Sequence, residues 1–230
     1  RSYASQMVLG PRLLPTLRRL THAVHEQGAA AAIQVGHCGG FASRKVIGQA
    51  PWGPSPWFNL YGLSIARAMS YADLRDVTND FGHAAEIVRD AGFDAIELHM
   101  GHGYLLSQFL SPATNWRKDD FGGSFENRIR FPLQVLREVR RVLGPDFPVL
   151  VKLNLHDGFE GGFGGDEVVR FAQALAGRGA TALVLSGGFV SKTPFFMLRG
   201  ALPVRDMVRV QHDWLSKVGL ALFGRLLVPE

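Results

Sequence analysis

The sequence has a single cysteine, Cys38, among its 230 residues. One cysteine cannot form an intrachain disulfide, and it cannot supply the several thiolates that an iron–sulfur cluster or a cysteine-based zinc site requires. The sequence also has no apolar run long enough to cross a bilayer and no basic-then-apolar leader at its start. These absences favour a reducing compartment, so we expect a cytoplasmic protein without a membrane partner.

Long runs of like charge are also missing. The 25 lysines and arginines stand against 20 acidic residues, which gives a net charge of +5, and the basic residues are scattered along the chain. Scattered charges are typical of a solvated surface, so we expect no nucleic-acid partner. The mild positive field still favours anionic ligands such as phosphate-bearing cofactors.

Four short runs have the composition of β-strands. They are almost continuously apolar, as strands buried on both faces of a parallel sheet are, and they span residues 30–35, 93–98, 147–153 and 181–185. A helical pattern precedes each run. The expected helices cover residues 13–27, 70–92 with a capping box of Ser70 and Asp73, 124–144, and the stretch from an Asp166 cap to Gly177 or Gly179. This alternation predicts an α/β fold with a parallel sheet.

The segments that follow the predicted strands are long, whereas those that follow the helices are short. They span residues 36–69, 99–123, 154–165 and the chain from 186 onward. Long loops confined to the carboxyl ends of parallel strands are typical of a (β/α)₈ barrel enzyme, because its active site is built there. A doubly wound sheet gives a similar pattern and stays open as the competing fold. Residues 202–227 hold mixed helical stretches without an assigned role.

Polar residues lie where the predicted strands end. Gln34 falls inside the first run, and Lys152 interrupts the third. A lysine in a barrel interior is costly unless it is paired. We therefore expect Lys152 to face an anionic ligand or a carboxylate.

The pair His99 and His102 follows the second run, with Tyr104 just beyond. From the residues alone, three interpretations stay open. The histidines are structural, or they form a three-histidine zinc site with His37, or they bind a substrate oxygen while Tyr104 donates a proton.

A longer string surrounds the histidine pair. It reads HMGHGYLLSQFLSP over residues 99–112 and FGGSFENR over 121–128, with IQVGHCG at 33–39 and VKLN at 151–154. This string resembles the old yellow enzyme family, in its NADH:flavin oxidoreductase branch, and the resemblance covers most of residues 13–188. The family's third-strand motif often ends in an arginine, where this sequence has Gly40.

The resemblance implies a TIM (β/α)₈ barrel that binds FMN at the carboxyl ends of its strands. Such an enzyme transfers hydride from NAD(P)H via FMN to the activated C=C bond of a small-molecule alkene or enone. In the family's order this chain holds only strands three to six, so residues 1–230 are expected to form a single partial flavin-oxidoreductase barrel domain. Because the chain starts at Arg1 and stops after an apolar stretch, we expect an incomplete barrel that binds FMN poorly or not at all by itself.

The resemblance also implies roles for five residues. Gln34 would hydrogen-bond the flavin pyrimidine edge, and Lys152 would take the basic position near flavin N1 and O2. His99 and His102 would bind the electron-withdrawing carbonyl of the substrate. Tyr104 would supply the proton to the α-carbon.

Two other functions stay open at this point. One is a metal-dependent TIM-barrel hydrolase that uses His37, His99 and His102 as ligands. The other is a non-catalytic fragment that pairs the exposed edges of its sheet with another chain, which would make the protein an oligomer.

Overall fold

The computed structural model of the chain describes residues 4–59 and 64–193, with 196, 208, 209, 214, 217 and 218 beyond them. The helices are α1 (Leu14–His25), α2 (Arg44–Ile47), α3 (Tyr71–Asp90), α4 (Leu105–Leu110), α5 (Phe125–Arg128), α6 (Arg130–Leu143) and α7 (Asp166–Ala176). The strands are β1 (Ala32–Val35), β2 (Trp52–Gly53), β3 (Trp57–Asn59), β4 (Ser64–Ala68), β5 (Ala95–Met100), β6 (Val149–Asn154) and β7 (Ala182–Ser186). Among the described residues, no helix combines the length and the apolar character that a membrane crossing requires.

The main sheet has the strand order β1-β5-β6-β7, and every neighbouring pair is parallel. Each of these strands lies beside the one that precedes it along the chain, with a helix between them, and α3 packs against α6. A doubly wound sheet reverses its strand order at a switch point, whereas a barrel adds each strand beside the last. The order is that of four successive strands of a barrel, and it confirms the predicted α/β architecture.

The start of α3 shows how local sequence defines an element. Ser70 Oγ accepts a hydrogen bond from the Asp73 backbone N–H at 3.2 Å, and the Asp73 carboxylate accepts one from the Ser70 N–H at 2.7 Å. This is the predicted capping box, which satisfies two of the amides that a helix start leaves unpaired. The chain then leaves the helix through Gly92, whose φ of 83° suits glycine.

Two helix starts differ from the prediction. Asp166 is the first residue of α7, and the N-cap is Gly165, at φ 60° and without a side-chain hydrogen bond. Asp166 therefore acts through its charge in the first helical turn. The predicted helix from Ser124 consists of α5 and α6, with Ile129 between them, and Ser124 caps α5 by accepting from the Asn127 N–H.

The main sheet has one apolar and one polar face. On the face covered by helices, the side chains are fully buried, namely Ile96, Leu98 and Met100 of β5 and Val149, Val151 and Leu153 of β6. The alternate positions carry polar side chains such as Gln34, Glu97 and Lys152. In the described part of the chain no further strand pairs with the outer edges of β1 and β7. The expected burial on both faces therefore holds for one face only.

The long segments after the strands carry structure of their own. Residues 36–69, predicted as a loop, contain α2 and a small sheet in which β4 lies between β2 and β3. The backbone at Gly40 approaches the Trp57 ring so closely that a Cβ there would lie 2.4 Å from Trp57 Nε1. The Trp57 ring therefore packs within this segment. Tyr61 and most of residues 202–227 lie outside the described residues.

Candidate functional site

The polar face of the sheet brings the predicted site residues together at the carboxyl ends of the strands. Gln34 of β1 pairs in register with Glu97 of β5, and His99 of β5 pairs with Lys152 of β6. Because side chains alternate along a strand, Glu97 and His99 share one face. Three strands thus present four polar side chains to the same side.

Gln34 and Lys152 meet at one carboxylate. Gln34 Nε2 donates to Glu97 Oε1 at 2.5 Å, and Lys152 Nζ lies 3.0 Å from the same oxygen. The Lys152 and Glu97 side chains are only 23% and 14% exposed. The prediction that Lys152 faces a carboxylate is confirmed. Glu97 itself was not singled out, although its position two residues before His99 placed it on the same strand face.

The two predicted histidines are in direct contact. His99 Nε2 lies 3.2 Å from His102 Nδ1, and the rings meet edge to face with centroids 4.9 Å apart. The Gly101 backbone N–H donates to His99 Nδ1 at 3.2 Å. On the other side, His102 Nε2 lies 2.6 Å from Ser186 Oγ at the end of β7.

Both imidazoles are held in the neutral form. Burial is the main reason why the pKa of His99 is lowered to about 3, and the neighbouring His102 and the Lys152 cation contribute in the same direction. Burial also lowers the pKa of His102, with the Lys152 cation adding to the effect and Glu97 opposing it. Neutral imidazoles each carry one N–H donor and one acceptor nitrogen. At pH 7 the pair can therefore donate hydrogen bonds without bringing charge.

Tyr104 lies against this pair. Its ring meets the His99 ring edge-on at 89°, with centroids 4.7 Å apart. The turn that brings it there needs Gly103, because φ is 77° and a Cβ would lie 2.5 Å from the Phe189 ring. His102, which precedes Gly103 in the same turn, has a φ of 59°, a conformation that non-glycine residues seldom adopt. Such backbone strain is frequent at functional sites.

His37 does not complete a metal site with this pair. Its Nδ1 accepts a hydrogen bond from the Gly39 N–H at 3.0 Å, and its ring stacks on Trp52. In the part of the chain that the structure describes, no three His, Cys, Asp or Glu side chains lie where they could share a metal ion. The arrangement does not favour the zinc hydrolase alternative. Cys38 is buried.

A cavity of about 340 Å³ borders the site, and its wall includes Gln34, His37, His99 and Tyr104. This volume is in the range of small-molecule pockets. A side-chain amide beside an ammonium group suits the pyrimidine edge of a flavin, which offers both carbonyl oxygens and an N–H. The donor set at Gln34 and Lys152 therefore fits FMN.

Comparisons with known proteins show the family to which the chain is related. Residues 6–190 match the family model described as the NADH:flavin oxidoreductase / NADH oxidase family. The 4,4'-dithiodibutanoate disulfide reductase of Rhodococcus erythropolis is 37% identical over 230 residues, which is all of this chain and 57% of that protein. The multifunctional alkene reductase/demethylase OYE of Caballeronia cordobensis is 36% identical over 200 residues, which covers 80% of this chain and 29% of that protein.

Solved structures share the fold. The complex of 2-naphthoyl-CoA reductase with 2-naphthoyl-CoA superposes with a TM-score of 0.80 at 25% identity, over 97% of this chain and 35% of that chain. The sheet described above is thus part of a TIM barrel. The chain spans 57% or less of the length of these relatives.

Proposed function

The chain belongs to the NADH:flavin oxidoreductase / NADH oxidase family, and from this membership we propose that it forms part of an FMN-dependent, NAD(P)H-using reductase of activated C=C bonds. The observation that carries the proposal is the neutral His99–His102 pair with Tyr104 edge-on beside it, on the sheet face that also presents Gln34 and Lys152. The relative named as an alkene reductase supports the substrate class. A cytoplasmic location and assembly into an oligomer stay predictions.

Gln34 and Lys152 would hold the cofactor. FMN, when bound, supplies the hydride chemistry, with NAD(P)H as the source of electrons. The Gln34 amide would donate to an oxygen of the flavin pyrimidine edge. The Lys152 ammonium would favour negative charge on the same edge, and Glu97 keeps that ammonium in place at 3.0 Å.

His99 and His102 would bind the substrate oxygen. Neutral N–H donors aimed at a carbonyl withdraw electron density from the conjugated double bond and stabilise charge that develops on the oxygen. Tyr104 Oη would then pass its proton to the α-carbon. A phenol O–H is a hydrogen-bond donor and can act as a general acid, which is the role proposed for Tyr104.

The test is removal of the Tyr104 hydroxyl. In the FMN-loaded protein, Tyr104→Phe should slow enone reduction by about 10²-fold or more, because a positioned general acid contributes that much, while oxidation of NADPH continues. Tyr71→Phe is the matched control, because Tyr71 is 56% exposed. Enone reduction at the wild-type rate in Tyr104→Phe would remove Tyr104 as the donor, and an FMN-loaded wild-type protein that oxidises NADPH but reduces no enone would remove the function.

An organic disulfide is a second candidate substrate. The relative named as a disulfide reductase matches the whole chain, whereas the match to the alkene reductase covers 80% of it. Two electrons and two protons convert one disulfide to two thiols, and the same site residues could supply the protons. Parallel assays of 2-cyclohexenone and of a dicarboxylic disulfide separate the two substrate classes by their kcat/KM.

A further inference from the structure

A backbone amide determines which ring nitrogens of the histidine pair donate hydrogen bonds and which accept them. The Gly101 N–H points at His99 Nδ1 at 3.2 Å. A backbone N–H can only donate, so His99 Nδ1 accepts. In a neutral imidazole one nitrogen carries the hydrogen, which places it on His99 Nε2.

The hydrogen on His99 Nε2 in turn determines the tautomer of His102. His99 Nε2–H donates to His102 Nδ1, 3.2 Å away. With Nδ1 as an acceptor, the neutral His102 ring carries its hydrogen on Nε2, which lies 2.6 Å from Ser186 Oγ. The opposite tautomers would set two N–H groups against each other at Gly101. Ser186 is therefore the last acceptor of the chain.

The ends of β6 and β7 also hold the strained backbone of His102. The Asn154 Oδ1 atom accepts from the His102 N–H at 3.0 Å, and the Val190 N–H donates to the His102 carbonyl at 3.0 Å. A non-glycine residue at φ 59° is strained, and it persists where its surroundings over-determine it. Ser186 extends the same support from the backbone to the ring.

We propose that Ser186 is a positioning residue for the histidine pair: it accepts from His102 Nε2 and keeps both rings oriented as Nε2–H donors. This inference rests on the proposed function in one respect, namely that the His99–His102 pair binds a substrate oxygen. Both Nε2–H groups are engaged within the protein, that of His99 by His102 Nδ1 and that of His102 by Ser186 Oγ, so a substrate oxygen would meet them as a second, shared acceptor. Without the Ser186 hydroxyl, the His102 Nε2–H loses its acceptor and the ring loses its anchor on β7.

The test reads the tautomers directly. In ¹⁵N-histidine-labelled protein, ¹⁵N–¹H correlation spectra of the rings should show the Nε2–H form for both His99 and His102 at pH 7, with assignment by His99→Gln and His102→Gln. Ser186→Ala should shift the His102 Nε2–H signal or lose it to solvent exchange, and Ser186→Thr should restore it. Ser70→Ala is the matched control, because it removes a serine hydroxyl that caps α3.

An Nδ1–H form of His102 in the wild-type protein would overturn the proposal, and this measurement does not require a Ser186 variant to fold. A wild-type His102 signal in Ser186→Ala would overturn it as well. These spectra need neither FMN nor substrate, so their failure is distinct from failure of the proposed function. In the FMN-loaded enzyme, kcat/KM for the enone should fall up to about tenfold in Ser186→Ala and recover in Ser186→Thr. Equal values in all three proteins would remove the functional role.

Discussion

Two buried histidines should make the stability of the fold fall as the pH drops. Burial lowers the pKa of His37 to about 4 and that of His99 to about 3, whereas a histidine in an unfolded chain titrates near ~6.5. Between these values the unfolded chain binds protons that the folded chain does not, and this difference favours unfolding. The stability is therefore fully present above the unfolded pKa and is lost progressively as the pH falls toward the folded pKa values.

The size of the effect follows from the pKa difference. One pKa unit corresponds to about 1.4 kcal/mol, so each histidine should lower the free energy of unfolding by about 1.4 kcal/mol between pH 7.5 and pH 5.5. The two together amount to about 3 kcal/mol, a large part of the ~5–15 kcal/mol that a typical domain has. Asp157 acts in the opposite direction, because burial raises the pKa of its carboxyl. Single-histidine variants separate the two contributions.

Urea unfolding followed by circular dichroism at pH 7.5 and pH 5.5 measures this difference. In His99→Gln the difference between the two pH values should be smaller than in the wild type by about 1.4 kcal/mol. The constant cost of the substitution cancels, because both measurements use the same variant. His22→Gln is the control, since the His22 side chain is 74% exposed, and its pH difference should match the wild type. A wild-type difference in His99→Gln would refute the link between burial and pH sensitivity.

Two further predictions concern stability at constant pH. Gly103→Ala should lower the free energy of unfolding, measured with urea, by more than Gly28→Ala does. Both glycines have a positive φ, but only at Gly103 would a Cβ clash, because it would lie 2.5 Å from the Phe189 ring. Equal losses of stability in the two variants would contradict the clash. Glu97→Gln should lower the free energy of unfolding by about 1–3 kcal/mol, because it leaves the Lys152 ammonium without its carboxylate. Glu138→Gln should lower it by less than about 1 kcal/mol, because its partner Arg141 is 68% exposed. A similar cost at both sites would contradict the role of burial.

The parts of the fold that the sequence predicted correctly are those that depend on neighbouring residues. The capping box at Ser70 needs only a serine and an acidic residue three positions on, and the helix and strand alternation needs only local periodicity. The small sheet of β2, β3 and β4 was not predicted because its strands are two, three and five residues long. Strands this short pair through tertiary contacts and carry little periodic signal.

The start of α7 shows how two local preferences compete. Aspartate is a favoured N-cap residue, so the sequence predicted Asp166 at that position. The structure places Gly165 there instead, with φ 60°. A left-handed turn before the helix is a property of the backbone path, and the residue types alone leave the boundary open by one position.

For the candidate site, the sequence identified side chains but not their partners. Gln34, His99 and Lys152 lie at predicted strand ends. The contacts of Glu97 and Ser186, in contrast, depend on the register between strands, which places them beside Lys152 and His102. Gln34 contacts a residue 63 positions away, and His102 contacts one 84 positions away. The two-residue spacing between Glu97 and His99 puts both on one face of β5, but nothing in one sequence sets the register between strands.

Glu97 is the residue through which the stability of the sheet and the affinity of the site are coupled. Its carboxylate accepts from both Gln34 and Lys152, which engages one N–H of each donor proposed to hold FMN. An amide has two N–H groups and an ammonium has three, so a ligand oxygen can meet the others while Glu97 keeps its contacts. The same contact that keeps the ammonium of Lys152 from being unpaired and partly buried therefore lowers its attraction for an anionic ligand. The ion pair thus fixes the position of the Lys152 ammonium but lowers its affinity for an anionic ligand. This is expected where a partly buried cation must be stable both with and without its ligand.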